Sequence, residues 1–174
     1  LIKGKLTGID EKLRKAQQDY HLAKSRLDAL VNIAERYEGY GMSVKKVMER
    51  RGEISGIEGV VADLIRTKPE YETAIEIALG GSIQNIVTDT SDTAKKIIEI
   101  LKKNKEGRAT FLPLESLGRN RDFEPKSALN ERGVVGVASE LVTTDPKYGD
   151  VAKSLLGRIL VTETIDDAVA INRK

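Results

Sequence analysis

Gly59-Val60-Val61-Ala62-Asp63-Leu64-Ile65-Arg66-Thr67-Lys68-Pro69 returns 77 positions later, from 59 to 136, as Gly136-Val137-Ala138-Ser139-Glu140-Leu141-Val142-Thr143-Thr144-Asp145-Pro146. Gly, Val, Leu, Thr and Pro recur unchanged, while Asp63/Glu140 and Ile65/Val142 are close exchanges. Downstream at the same offset, Tyr71 meets Tyr148, Leu79 meets Leu156 and Gly80 meets Gly157. After a slip of three positions, Val87-Thr88-Asp89-Thr90 meets Val161-Thr162-Glu163-Thr164, and Asp92, Ala94 and Ile97 meet Asp166, Ala168 and Ile171. Ordered matches at one spacing are the mark of an internal duplication.

Each copy carries the same local instructions. A short apolar run (Val60 to Ile65; Val137 to Val142) predicts a strand that leads into a Pro-containing turn. A helix is predicted from Glu70 to Leu79 and from Lys147 to Leu156, stopped by a glycine. A β-branched strand follows (Ile83 to Thr88; Ile159 to Thr162), then Thr90 or Thr164 at an N-cap with acids in the first turn. Between the copies, Ala109 to Leu114 predicts one further strand, and residues 116–132 a long surface loop. These elements make a mixed α+β body of two related lobes.

Upstream the pattern changes. Ile2, Leu6, Ile9, Leu13, Ala16, Tyr20, Ala23, Leu27, Leu30, Ala34 and Tyr37 are spaced alternately by four and three, the a/d seam of a left-handed coiled coil. Such a helix would run roughly 55 Å. It ends at Tyr37-Glu38-Gly39-Tyr40-Gly41, where two glycines disfavour continuation. A stripe this long needs a second helix. The two readings are packing on the chain's own body, or one strand of a coil whose partner lies elsewhere in a longer parent chain. The regular seam and the absence of an initiating methionine point to the latter.

Composition removes several functions. There is no cysteine and a single histidine, so disulfides, thiolate chemistry and multi-histidine metal sites are excluded. Aromatics are 4% of the 174 residues, too few for a base-stacking platform. No apolar run reaches the about 20 residues that a spanning helix requires, and no signal peptide opens the chain, so it is read as soluble and intracellular. With a net charge of +2, affinity for nucleic acid must come from local clusters.

The quoted segment, Ala78-Leu79-Gly80-Gly81 followed by Asn85-Ile86-Val87-Thr88, and Gly107-Arg108-Ala109-Thr110-Phe111-Leu112-Pro113-Leu114 together resemble the hinge of bacterial SMC (structural maintenance of chromosomes) proteins. Gly136 to Val142 and Leu155-Leu156-Gly157-Arg158 continue the likeness, which covers about residues 40–174. The resemblance implies an SMC-hinge-like organisation. Residues 1–40 are a coiled-coil arm segment, 41–132 lobe 1 with the inter-lobe loop, 133–168 lobe 2, and 169–174 the start of a returning coiled-coil helix. It further implies a homodimer joining two arms for chromosome condensation and segregation, in the cytoplasm with the nucleoid. ATP-binding motifs would belong to distant heads; no Gly-x-x-x-x-Gly-Lys-Ser/Thr occurs here, and no cofactor is expected.

Gly80-Gly81 follows a predicted helix and precedes a strand, the reverse of a phosphate-binding loop, so ligand cradling is disfavoured. The resemblance implies that Gly80, Gly81 and Gly157 permit close approach of a second chain; local turn geometry alone is the alternative. His21 beside the seam is read as a surface residue. Asp89, Asp92, Glu163, Asp166 and Asp167 are read as helix-start acids rather than metal ligands. No catalytic site is expected.

Lys95, Lys96, Lys102, Lys103, Lys105 and Arg108 stand against two acids, Glu99 and Glu106, over residues 95–108. Lys45, Lys46, Arg50 and Arg51 follow the arm, and Arg173 and Lys174 end the chain. These basic residues are the candidates for sequence-independent contact with single- or double-stranded DNA through phosphates, with a plain solvated surface as the alternative. A rival reading of the whole chain is a ligand-binding or enzymatic α+β domain oligomerised by its coil. No catalytic constellation supports it.

Overall fold

The computed structural model describes residues 2–36, 39–118 and 123–173. Tyr37 and Glu38 of the predicted helix end, residues 119–122 of the predicted loop, and Lys174 lie outside the described residues. Two compact units are present, Leu1–Tyr40 and Gly41–Lys174.

The first unit is one helix, α1 (Ile2–Arg36), uninterrupted because no proline breaks its backbone ladder. Its seam side chains Ile9, Leu13, Tyr20 and Leu27 are all more than half exposed.

In the second unit, lobe 1 contains α2 (Met42–Glu49), β1 (Ile57–Val60), α3 (Val61–Leu64), β2 (Arg66–Thr67), α4 (Glu72–Leu79), β3 (Ile86–Thr88), α5 (Ser91–Asn104) and β4 (Phe111–Pro113). Lobe 2 repeats the order as β5 (Val134–Val137), a 3₁₀ turn at Ala138–Glu140, β6 (Val142–Thr143), α6 (Gly149–Leu156), β7 (Leu160–Thr162) and α7 (Ile165–Asn172). Antiparallel β1–β3 and β5–β7 are repeat equivalents; β4 adds to β3 in parallel, while β7 has no third strand among the described residues. The predicted loop contains a 3₁₀ turn at Lys126–Asn130.

The duplication extends to single interactions. Thr90 caps α5 by accepting from the Thr93 amide, and Thr164 caps α7 by accepting from the Asp167 amide. Gly56 and Gly133 both have positive φ, +92° and +77°, and a Cβ on either would run into a carboxylate, of Asp89 or Asp167 respectively. Asp89 and Asp167, which are not themselves repeat equivalents, thus each pack beside one of these two equivalent glycines.

The structure corrects the predicted boundaries. The runs Val60 to Ile65 and Val137 to Val142 are not continuous strands: each breaks into a helical turn at Val61 or Ala138. Turning there places Val61 and Ile65, four apart, on one face, and both are buried. The helices predicted from Glu70 and Lys147 start as 3₁₀ turns at Pro69–Tyr71 and Pro146–Tyr148, where proline fixes the first φ. The strand predicted from Ile83 starts at Ile86, because Gly80–Gln84 is a 3₁₀ turn. α7 runs without a break across positions 168 and 169 as the counterpart of α5.

The lobes meet at β2 and β6. These strands pair antiparallel, with Arg66 opposite Thr143 and Thr67 opposite Val142. Arg66 and Thr143 are themselves repeat equivalents, so a pseudo-twofold axis passes between them. The Thr67 hydroxyl donates to the Leu141 carbonyl at 2.7 Å. One hydrophobic core serves both lobes: Val61, Ile65, Ile75, Leu79 and Val87 pack with Ala138, Val151, Ala152, Leu156 and Val161. A clasp adds to it, in which Lys147 Nζ and Tyr148 Oη each donate to the Glu58 carboxylate at 2.7 Å. Burial raises the Glu58 pKa, but these donors outweigh it and hold the group below its ordinary value.

Because the core is shared, Leu156→Ala should destabilise both lobes together. Leu156 is fully buried, so a loss of about 2–5 kcal/mol is expected. Urea denaturation followed by far-UV circular dichroism should show one transition at a lower midpoint. A variant that loses lobe 2 while β1, β3 and α5 stay protected from hydrogen exchange would contradict a common core.

Candidate dimer edge and basic surface

α4 places its apolar residues Ile75 and Leu79 inward, leaving Glu72, Thr73, Glu76 and Ile77 outside. Gly80 ends the helix with φ +49° and ψ −130°, a conformation that a side chain disfavours, and so turns the chain into the 3₁₀ segment. Both Gly80 and Gly81 are exposed, and a Cβ built on either would meet nothing within 4 Å. Turn geometry accounts for Gly80; it does not account for the open space beside Gly81. The Gly41 amide donates to Gln84 Oε1 at 3.1 Å, tying the start of the body to this loop.

Gly157 differs from its repeat equivalent. It caps α6 as the sequence predicts, but with φ −67°, an ordinary right-handed value, where Gly80 has a positive φ. A Cβ there would strike the backbone carbonyl of Lys153 one turn earlier. Gly157 therefore has a packing role within lobe 2, and it also lines a groove of about 520 Å³ with Phe123, Leu129, Val137 and Lys153.

Sequence reasoning missed Ile77, which is 76% exposed one turn before Gly80-Gly81. An apolar residue on the outward stripe of α4 was the available signal.

Of the basic candidates, Lys95, Lys96, Lys102 and Lys103 lie on α5 opposite its buried stripe of Ala94, Ile97 and Leu101, and all four are exposed. Lys95 Nζ is 3.2 Å from Asp92 in a fully wetted pair. Lys105 caps α5 in the left-handed conformation (φ +54°), and Arg108 is exposed beyond it. Lys45 and Lys46 lie on α2, half-buried, with Lys46 paired to Glu49 at 3.0 Å.

Arg50 brings these two groups together. It donates to the Lys46 carbonyl at 2.9 Å and to Glu106 Oε1 at 2.7 Å, so the end of α2 is fastened to the segment after α5. Arg173 caps α7, and no described contact links it to that group. Lys174 lies outside the described residues.

The chain's order of elements is matched by known proteins. The family described as SMC proteins Flexible Hinge Domain matches residues 54–172. This chain belongs to the SMC hinge family. The hinge is 44% identical over 159 residues to the chromosome partition protein Smc of Bacillus subtilis, covering 90% of this chain. It is 42% identical over 152 residues to that of Lactiplantibacillus plantarum, covering 86%. The chain spans 13% of the length of each of these two curated relatives. Among solved structures, an asymmetric dimer of the Geobacillus stearothermophilus SMC hinge domain has a TM-score of 0.76 at 37% identity, covering 98% of this chain and 69% of that one. The Pyrococcus furiosus hinge has a TM-score of 0.63 at 29% identity, covering 83% and 75%.

The fastening in this hinge is acid-sensitive. Glu106 lies below its ordinary value of 4.5 because Arg50 donates to its ionised form. A lowered folded-state pKa gives stability that is present above the unfolded value and lost as pH falls through the folded one. Glu106→Gln should therefore unfold at a lower temperature than the parent near neutral pH, and the gap should close as pH falls below 4.5. A gap that persists unchanged in strong acid would assign the bond a neutral, charge-independent role.

Proposed function

We propose that this chain is the dimerising hinge of a chromosome partition protein, acting in the cytoplasm at the nucleoid. It holds two copies together through faces that carry Gly80, Gly81 and Gly157, and so joins two coiled-coil arms. In each arm, α1 pairs with a returning helix of the same parent chain that continues from the end of α7, at about 169–174. The observation that carries this reading is the Gly80-Gly81 edge: two exposed glycines beside an exposed isoleucine, with open space where side chains would stand. A backbone that carries no Cβ lets another chain approach closely. A related hinge is described as a dimer.

The basic surface adds DNA contact. The lysines of α5, with Lys105, Arg108 and the α2 residues Lys45 and Lys46, contact phosphates of single- or double-stranded DNA without reading bases; Arg173 and Lys174 contribute from the end of the chain. The chemistry of ATP belongs to the heads of the parent protein.

Two measurements test these roles separately. A chain beginning at Gly41 should sediment as a dimer, whereas an oligomer held by α1 would become monomeric. Gly81→Leu should give folded monomers; Gly80 is left intact because its positive φ disfavours a side chain, and Gly157 because its own lobe has no room for one. If the Gly81→Leu variant stays dimeric at micromolar concentration, the interface lies elsewhere.

For DNA, the logarithm of affinity should fall with the logarithm of salt by about 0.7–0.9 per phosphate contacted. Replacing Lys95, Lys96, Lys102 and Lys103 by alanine should weaken binding for all sequences and flatten that slope, with dimer mass unchanged. Fluorescence anisotropy across a salt series reads both quantities. An unchanged slope would return these lysines to the solvated surface.

A further inference from the structure

The two repeats differ in length just after α4 and α6. Between Gly80 and Asn85 lie four residues, 81–84; between their equivalents Gly157 and Ile159 lies one, Arg158. The far end of this span is preserved in both copies. The Val61 amide donates to the Asn85 carbonyl at 3.0 Å, and at the equivalent place the Ala138 amide donates to the Ile159 carbonyl at 2.8 Å. Lobe 2 thus passes from helix to strand with three residues fewer, so the passage itself does not require the longer turn of lobe 1.

What the longer turn adds is a bond to the start of the body. Gln84, its last residue, accepts through Oε1 from the Gly41 amide at 3.1 Å. Gly41 is the first residue of the second unit and the N-cap of α2. Its own carbonyl accepts from the Val44 and Lys45 amides at 3.0 and 3.2 Å. Beyond it, Val44, Val47 and Met48 are buried and seat α2 in the body. Gln84 therefore holds the peptide that stands between a seated helix and the segment leading in from α1. Among the described residues no long helix precedes lobe 2, the copy with the shorter turn.

The same turn carries the candidate dimer edge. Gly80 and Gly81 begin it and Gln84 ends it, within one five-residue 3₁₀ segment whose end is closed by the Asn85 amide on the Ser82 carbonyl at 3.0 Å. Bonds from i to i+3 tie each residue of such a segment to the next turn, so ordering one end orders the other. Building on the homodimer reading above, we propose that Gln84 is a positioning residue that couples the dimer edge to the point where the arm enters the body. A second copy against Gly80-Gly81 orders the turn, the ordered turn presents Gln84 Oε1 to the Gly41 amide, and Gly41 is held. By linkage, holding Gly41 favours association to the same degree.

The test uses the full 174-residue chain over a concentration series. Sedimentation equilibrium gives the oligomeric mass, and NMR on the same samples gives the exchange rate of the Gly41 amide. Gly41 should exchange more slowly in the dimer than in the monomer, by about threefold to tenfold for one exposed hydrogen bond. Gln84→Ala should abolish that difference and weaken self-association by the same factor. Gly41→Pro removes the donor instead of the acceptor: the φ of −58° suits proline, and a Cβ there meets only Gln84 Oε1, at 3.8 Å. It should weaken association as Gln84→Ala does, and the two changes together should have no greater effect than either alone. Where the parent stays dimeric at every concentration, Gly81→Leu supplies the monomer, and a Gly81→Leu chain that is still a dimer overturns the edge and the coupling together. A brace with no part in association would lower the unfolding temperature of both variants, leave their association unchanged and protect Gly41 equally in monomer and dimer. That result overturns the coupling and leaves dimerisation standing. A parent that is monomeric throughout overturns both.

Discussion

The pairing of Arg66-Thr67 with Val142-Thr143 holds the organisation of the body. It is four residues of sheet, yet it lies on the axis relating the two repeats, and the elements that fill the core stand on either side of it. Val61 and Ile65 reach the core because the chain turns just before β2; Ala138 reaches it because the chain turns in the same way before β6. Without that crossing, each lobe would be a few short strands and helices with one apolar face uncovered, too small to be stable alone. The Thr67 hydroxyl and the Glu58 clasp are placed where they limit sliding of one repeat past the other.

Equivalent residues have diverged in what they contribute. Where the repeats meet, size is shared out: Ile75 corresponds to Ala152, and Val61 to Ala138, so a large residue in one copy is matched by a small one in the other. Away from the axis, the exposed faces differ in charge instead: α4 presents the acids Glu72 and Glu76, where α6 presents one acid, Asp150, and one base, Lys153. The lysine-rich surface of α5 has no counterpart on α7, whose equivalent positions include Val169 for Lys95 and Ala170 for Lys96. Duplication supplied two scaffolds, and the surface of each was free to specialise because the core needs only its inward residues.

Much of this was legible in the sequence because it is local or periodic. The seam of α1 follows from spacing alone. The repeat follows from identities at a constant offset, and the caps Thr90 and Thr164 follow from a threonine before an acidic first turn. What escaped depends on partners distant in sequence. An apolar run such as Val60 to Ile65 has strand propensity throughout, and the break after Val60 is imposed by a core that wants Val61 and Ile65 on one side. Gly157 read as a twin of Gly80, yet its φ is ordinary and its neighbour is the Lys153 carbonyl, which only three-dimensional packing reveals. The Arg50–Glu106 bond joins residues 56 apart, and Ile77 is informative only once its exposure is known.

The common core also sets where motion can occur. Bending lobe 1 against lobe 2 would have to open a seam through Val151 and Leu156, both inaccessible to solvent, and separate α4 from α6. That costs transfer of core side chains to water, far more than thermal energy supplies. The body therefore behaves as one stiff piece, not as two leaves of a joint. In a protein family named for its flexible hinge, compliance must therefore reside elsewhere than between these two lobes.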